Sequence, residues 1–427
     1  MPAFGALVAE PLFLLADSAI IGYLGTAPLA GLGVAGAALA TAVGLFVFLA
    51  YATTGAVARR FGAGDLRAAL AQGVDGMWLA AGLGVPTALA GWVWAPEIVA
   101  ALGASTAAAP HAEAYLRWSL PGLPAMLVVL AATGVLRGLQ DTRTPLVVAA
   151  TGAGANVVLN VVLVHGLGLG IAGSAIGTVL AQLGMATALA VVVVRGARRH
   201  DVPLAPRRRG VAAAGRSGLP LVVRTLTLRV ALLVTTAVAA RQGDTALAAH
   251  QVVSTLWTFL AFALDAVAIA GQAITGRALG AGDVAQARGA TRRMLQWGVT
   301  SGVVLGTLLL ATSPVLPALF TPDPAVRSAV TAALVVAALA QPVAGWVFVL
   351  DGVLIGAGDG RYLAVAGVLT LVAYLPLAGL VLLAAPGGTT GLVWLWVAFG
   401  LGFMLARAVT LGLRARGDAW LVTGAAR

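Results

Sequence analysis

The sequence has no cysteine and, among its 26 basic residues, no lysine. The first absence removes thiol chemistry and Cys-ligated metal, and leaves the redox compartment unread. Charge of either sign is scarce. Charged residues make up 10% of the 427, with 15 acidic groups and four scattered histidines, against roughly a quarter in a typical soluble domain. The first apolar stretch lacks a basic flank and is too long for a signal-peptide core, so no cleavable leader is expected. Walker sequences, nucleophile elbows, metal-ligand spacings and paired hydrolase carboxylates are also missing. No enzyme, cofactor or firm metal site is expected, and a membrane-embedded enzyme is the alternative from a different class.

What the chain has is apolar surface: 60% hydrophobic residues and 55 glycines, with a mean hydropathy of +0.99. A membrane-crossing helix takes roughly 20 apolar residues. The apolar runs lie at 3–24, 33–57, 74–94, 117–137, 145–165 and 171–194, then at 219–240, 251–275, 293–313, 331–355, 362–384 and 390–413. In hydrocarbon each segment must satisfy its own backbone, so these runs read as helices. The fold class is an all-α polytopic membrane protein with about twelve crossings.

The arginines collect in alternate loops: Arg59 to Arg67, Arg137 with Arg143, Arg195 to Arg216, Arg277 to Arg293, Arg361, and the tail from Arg414 to Arg427. By the positive-inside rule both termini are cytoplasmic, in what is expected to be a bacterial inner membrane. That accounts for the basic pI without nucleic acid. The polar stretch 195–216, with Pro203, Pro206 and Arg207-Arg208-Arg209, reads as a cytoplasmic linker. Its arginines are inside anchors, with phospholipid contact as the alternative. The expected division is a lobe over 1–194, a linker over 195–216 and a lobe over 217–427.

Sliding the sequence against itself by 218 residues aligns Pro2 with Pro220, Arg59 with Arg277, and Gly62-Ala63-Gly64-Asp65 with Gly280-Ala281-Gly282-Asp283. It also aligns Gly134, Gly138, Asp141 and Arg143 with Gly352, Gly356, Asp359 and Arg361. An even number of crossings per repeat gives two parallel six-helix bundles related by a pseudo-twofold axis along the membrane normal, the plan of an alternating-access carrier rather than a channel. The Gly-Ala-Gly-Asp blocks read as turns capping short interfacial helices, with Arg59 and Arg277 at the headgroups.

An acid inside the membrane costs at least about 2.5–3.5 kcal/mol and is a functional candidate. Asp17 is the strongest. Asn156 and Asn160, one turn apart in the fifth run, and Thr178 in the sixth fall at a similar depth, so adjoining helices would gather all four into one nest. Their second-half counterparts Thr235, Tyr374 and Ala378 carry no such nest, and that asymmetry favours function. Secondary candidates are Glu10, a possible relay two turns from Asp17, and Asp265 and Asp351 with Arg229 and Arg224, a charge network read as structural.

The stretches Glu10-Pro11-Leu12-Phe13-Leu14-Leu15-Ala16-Asp17-Ser18, Leu136-Arg137-Gly138-Leu139-Gln140-Asp141, Asn156 to Asn160 and Asp265 to Arg277 resemble the multidrug and toxic compound extrusion (MATE) family. The nearest subgroup is the one named for the DNA-damage-inducible protein F. The resemblance implies a monomeric antiporter that exports small amphipathic organic cations against H⁺ or Na⁺, with the coupling site at Asp17, Asn156, Asn160 and Thr178. Relatives often carry a second acid where Asn160 stands, which tilts the expectation toward H⁺. Pro2 matches a helix-1 proline of some relatives, so the inner end of that helix is expected to be short. The rival is a lipid-linked oligosaccharide flippase, which would need a strongly cationic cavity; only Arg224, Arg229 and Arg407 are candidates for one.

Overall fold

The computed structural model of the chain describes residues 17–425. Pro2, Glu10 and Arg427, all singled out above, lie outside the described residues. Helical backbone over 17–22 (α1) is followed by eleven helices long and apolar enough to cross a membrane. They are α2 Thr26–Gly62, α3 Leu66–Val93, α4 Ala109–Gly138, α5 Arg143–Gly166, α6 Gly170–Arg199, α7 Arg208–Arg241, α8 Asp244–Gly280, α9 Val284–Thr312, α10 Pro324–Gly356, α11 Gly360–Ala384 and α12 Gly388–Arg416. No strand occurs among the described residues. Large apolar side chains such as Val93, Leu233 and Leu383 point outward, as lipid contact requires.

The repeat is visible in the backbone. Both α2 and α8 begin and end 218 residues apart, and four pairs at that offset share positive φ: Gly25 with Gly243, Gly64 with Gly282, Gln140 with Gly358, and Gly170 with Gly388. Gly64 at φ 79° and Gly282 at φ 78° make the turn into the next helix, a conformation most side chains avoid. The following aspartates cap it: Asp65 accepts from the Ala68 N–H at 2.8 Å and Asp283 from the Gln286 N–H at 2.7 Å. The helices they cap are α3 and α9, long spanning elements instead of the expected short interfacial ones, because the polar first turns after each cap, with Arg67 and Gln72 in α3 and Arg288 and Arg292 in α9, run on without a helix break into the apolar runs at 74–94 and 293–313. Arg59 is buried, while Arg277 is exposed.

The chain divides into two compact units, 1–218 and 219–427, with the boundary inside α7 just before Pro220. Much of the stretch 195–216 is helical. Only residues 200–207, around Pro203 and Pro206, leave the helix. Arginine is a good helix former, so Arg195–Arg199 prolong α6 and the residues from Arg208 begin α7.

Close packing within each unit rests on small residues. In the second unit, a Cβ added at Gly298, Gly302 or Gly306 of α9 would meet backbone oxygens of α10 at 2.6, 2.3 and 2.5 Å. The same register in α3 holds Ala80, Gly84 and Ala88, all buried. With no hydrophobic force between helices in lipid, such stripes let backbones touch.

Candidate functional site

In the first unit Asp17 is 1% exposed, Asn156 and Asn160 are fully buried, and Thr178 is 7% exposed. Asn156 and Asn160 lie one helical turn apart on α5 and share a face. The last turn of α5, Val162–Gly166, is π-helical, a distortion often found beside functional groups. Helix α6 comes within backbone contact of α5 at two glycines. A Cβ at Gly173 would sit 2.9 Å from the Leu163 carbonyl, and one at Gly177 would sit 2.3 Å from Asn160 Oδ1. The Asn160 amide therefore lies directly over Gly177.

These groups form one connected network. The Asn160 Nδ2 donates to Asp17 Oδ1 in a short contact and also to Asn156 Oδ1 at 3.3 Å. Asn156 Nδ2 donates to Thr178 Oγ1 at 3.0 Å, and that hydroxyl reaches Asp17 Oδ2 at 3.5 Å. Tyr115 of α4, 4% exposed, directs its phenol at the same carboxylate, flanked by Ser119 and Ser174. Asn160 Oδ1 is buried without a partner among the described residues.

Four aspartates are nearly sealed from solvent: Asp17, Asp75, Asp351 and Asp359. Three are ion-paired. Asp75 is held by Arg207 at 2.5 Å, Asp359 by Arg414 at 2.6 Å, and Asp351 by both Arg224 and Arg407, the latter at 2.9 Å. Asp17 has no arginine partner among the described residues, and its partners are an amide and hydroxyls. Of the four, it is the one whose charge no guanidinium among the described residues balances.

The remaining candidates separate from this nest. Asp351 does form a charge network, but its partners are Arg224 of α7 and Arg407 of α12; Arg229 is exposed and makes no ion pair among the described residues. Five residues on from Arg224, Arg229 points about 140° round the helix, so one aspartate does not receive both. Asp265 is half-buried on α8. At the equivalent place in the second unit, Thr235 shares a 2.6 Å hydrogen bond with Tyr374, and Trp396 replaces Thr178. Phe399 and Phe403, stacked at 5.4 Å, pack edge-on against Tyr374. Aromatic rings fill the volume that the first unit gives to polar groups.

Sequence reasoning missed Tyr115, Gly177, Asp75 and the role of Arg407. Tyr115 precedes the fourth apolar run and carried no signal of its own. The Gly173/Gly177 spacing of four was legible as a close-approach motif. Gly177→Ala is expected to displace the Asn160 amide and to lower coupled transport as far as Asn160→Ala does, while folded yield stays near wild type; flux in proteoliposomes and yield on size exclusion check both.

The MatE family model matches residues 2–162 and again 220–380. Protein DETOXIFICATION 44, chloroplastic, of Arabidopsis thaliana is 33% identical over 96% of this chain and 79% of its own length. DNA damage-inducible protein F of Escherichia coli (strain K12) is 31% identical over 84% of this chain and 79% of its own. A crystal structure of MATE in the bent conformation superposes with a TM-score of 0.89 at 23% identity, covering 97% of this chain and 93% of that one.

Proposed function

Because this chain belongs to the MATE family of multidrug and toxic-compound transporters, we propose that it exports amphipathic organic cations by alternating access, driven by protons that bind and leave at Asp17. The observation that supports this is the contrast among its buried acids: Asp75, Asp351 and Asp359 are neutralised by arginine, and among the described residues Asp17 meets only uncharged donors. An ionised carboxylate so enclosed is costly unless a proton or cation joins it. Ionised, Asp17 accepts from Asn160 Nδ2 and the Thr178 hydroxyl. Protonated, it becomes a donor and must find an acceptor oxygen, which Asn160 Oδ1 supplies if the amide rotates. Proton uptake thus reorders α1, α5 and α6 together, and that reordering is the coupling step we assign to the first lobe.

Sodium is the second reading. With the Asn160 amide rotated, Asp17, Asn160 Oδ1, Asn156 Oδ1 and Thr178 Oγ1 would supply an all-oxygen set of the kind hard cations take. With one carboxylate in place of two, H⁺ is the better match. Replacing NaCl with a choline salt under a pH gradient should leave transport unchanged; loss of transport would make Na⁺ the coupling ion. Asn160→Asp supplies a second carboxylate and is expected to make transport rise with Na⁺, measured as flux against Na⁺ at fixed pH.

The flippase alternative is disfavoured because Arg224 and Arg407 are occupied by Asp351. The arginine distribution supports an inner-membrane protein with both termini cytoplasmic, acting as a monomer.

A further inference from the structure

We propose that an arginine-lined cleft between α2, α3 and the start of α7 binds a phosphate group, as carried by the headgroup of an anionic phospholipid. Arg60, Arg207, Arg208 and Arg209 line this cleft with Gln72, in a volume of about 530 Å³. Small-ligand sites span roughly 300–1,000 Å³. No carboxylate lines it. The nearest, Asp75, is buried beneath Arg207 and neutralises that one guanidinium, which leaves three positive charges facing the opening.

The arginines are held by a fixed strap. Residues 200–207 are tied along α3 by Arg67 donating to the Asp201 carbonyl at 3.1 Å, by the Trp78 indole donating to the Leu204 carbonyl at 2.8 Å, and by Arg207 on Asp75. A Cβ at Gly210 would fall 1.9 Å from Asp75 Oδ2, so the first turn of α7 is pressed onto that carboxylate. Arg208 and Arg209 then project from a positioned helix start, whose dipole adds to their charge. A solvated inside anchor needs neither the strap nor the cleft. Arg198 and Arg199, exposed at the end of α6, are anchors of that plain kind and make a matched control.

Each arginine that touches the bound headgroup strengthens its binding by about fivefold, whereas an arginine outside the cleft adds nothing to retention of that one lipid. Native mass spectrometry of the intact protein with phosphatidylglycerol should show retained lipid, lost by about 25-fold in Arg208→Gln/Arg209→Gln and little changed in Arg198→Gln/Arg199→Gln. Equal loss in both doubles would overturn the site, since charge count alone would explain it. Phenylglyoxal modification of the wild-type protein, mapped by peptide, needs no variant. Phosphatidylglycerol nanodiscs should protect Arg60, Arg208 and Arg209 over Arg198 and Arg199, relative to phosphatidylcholine. Protection by inorganic phosphate in phosphatidylcholine would assign free phosphate as a sufficient ligand; protection only by the anionic lipid would assign the headgroup. Uniform protection, or none, refutes the proposal.

Discussion

Asp17→Asn is expected to abolish drug-driven proton movement in proteoliposomes while the protein remains folded and keeps binding substrate. Asparagine preserves the carboxylate's shape, keeps one acceptor oxygen for the Asn160 amide, and turns its own N–H toward the Thr178 hydroxyl oxygen, which then accepts instead of donating. No arginine among the described residues pairs with Asp17, so no cation is stranded by losing its charge. The stability cost is that of one altered hydrogen bond, about 1 kcal/mol. What disappears is the carboxyl to which the proposed mechanism assigns proton exchange. Proton flux read by an entrapped pH dye, beside thermal stability in detergent, separates the two effects. Normal antiport in this variant would end the proposal for Asp17.

The same change at Asp351 is expected to do the reverse. Asp351→Asn leaves the Arg224 and Arg407 guanidiniums, 13% and 8% exposed, facing each other across a neutral amide. Breaking a buried ion pair from one side costs about 3–5 kcal/mol, so the variant should lose most of its folded yield and thermal stability. Replacing the whole triad (Asp351→Leu with Arg224→Met and Arg407→Met) should recover stability, because a buried ion cluster and a well-packed apolar one are often equivalent. If the triple variant folds and transports, the cluster is structural. If it folds but transport is lost, the second lobe's charges belong to the mechanism.

This contrast also shows how far the sequence carries. Register and repeat were legible because duplication copies turn chemistry: the caps at Asp65 and Asp283 and the positive-φ glycines before them recur 218 residues apart. The nest was legible because Asn156 and Asn160 share a helical face and Asp17 and Thr178 fall at a matching depth, a one-dimensional argument that needs only helix rise. Partner choice was not legible. Arg407 meets Asp351 across 56 positions of chain, and no periodicity connects α12 to α10. Asp75 sits at the edge of the third apolar run, and nothing in that run's pattern connects it to Arg207, its partner 132 positions away. Tyr115 likewise joins the site only through the packing of α4 against α6.

On the proposed mechanism the Asp17 carboxyl changes protonation during transport. Infrared difference spectroscopy of the reconstituted protein, with Asp17→Asn identifying the band, tests it most directly. A protonated carboxyl C=O stretch that is present without drug and vanishes when drug binds is the predicted result. A carboxylate that stays ionised with and without drug at every pH where transport runs would contradict it.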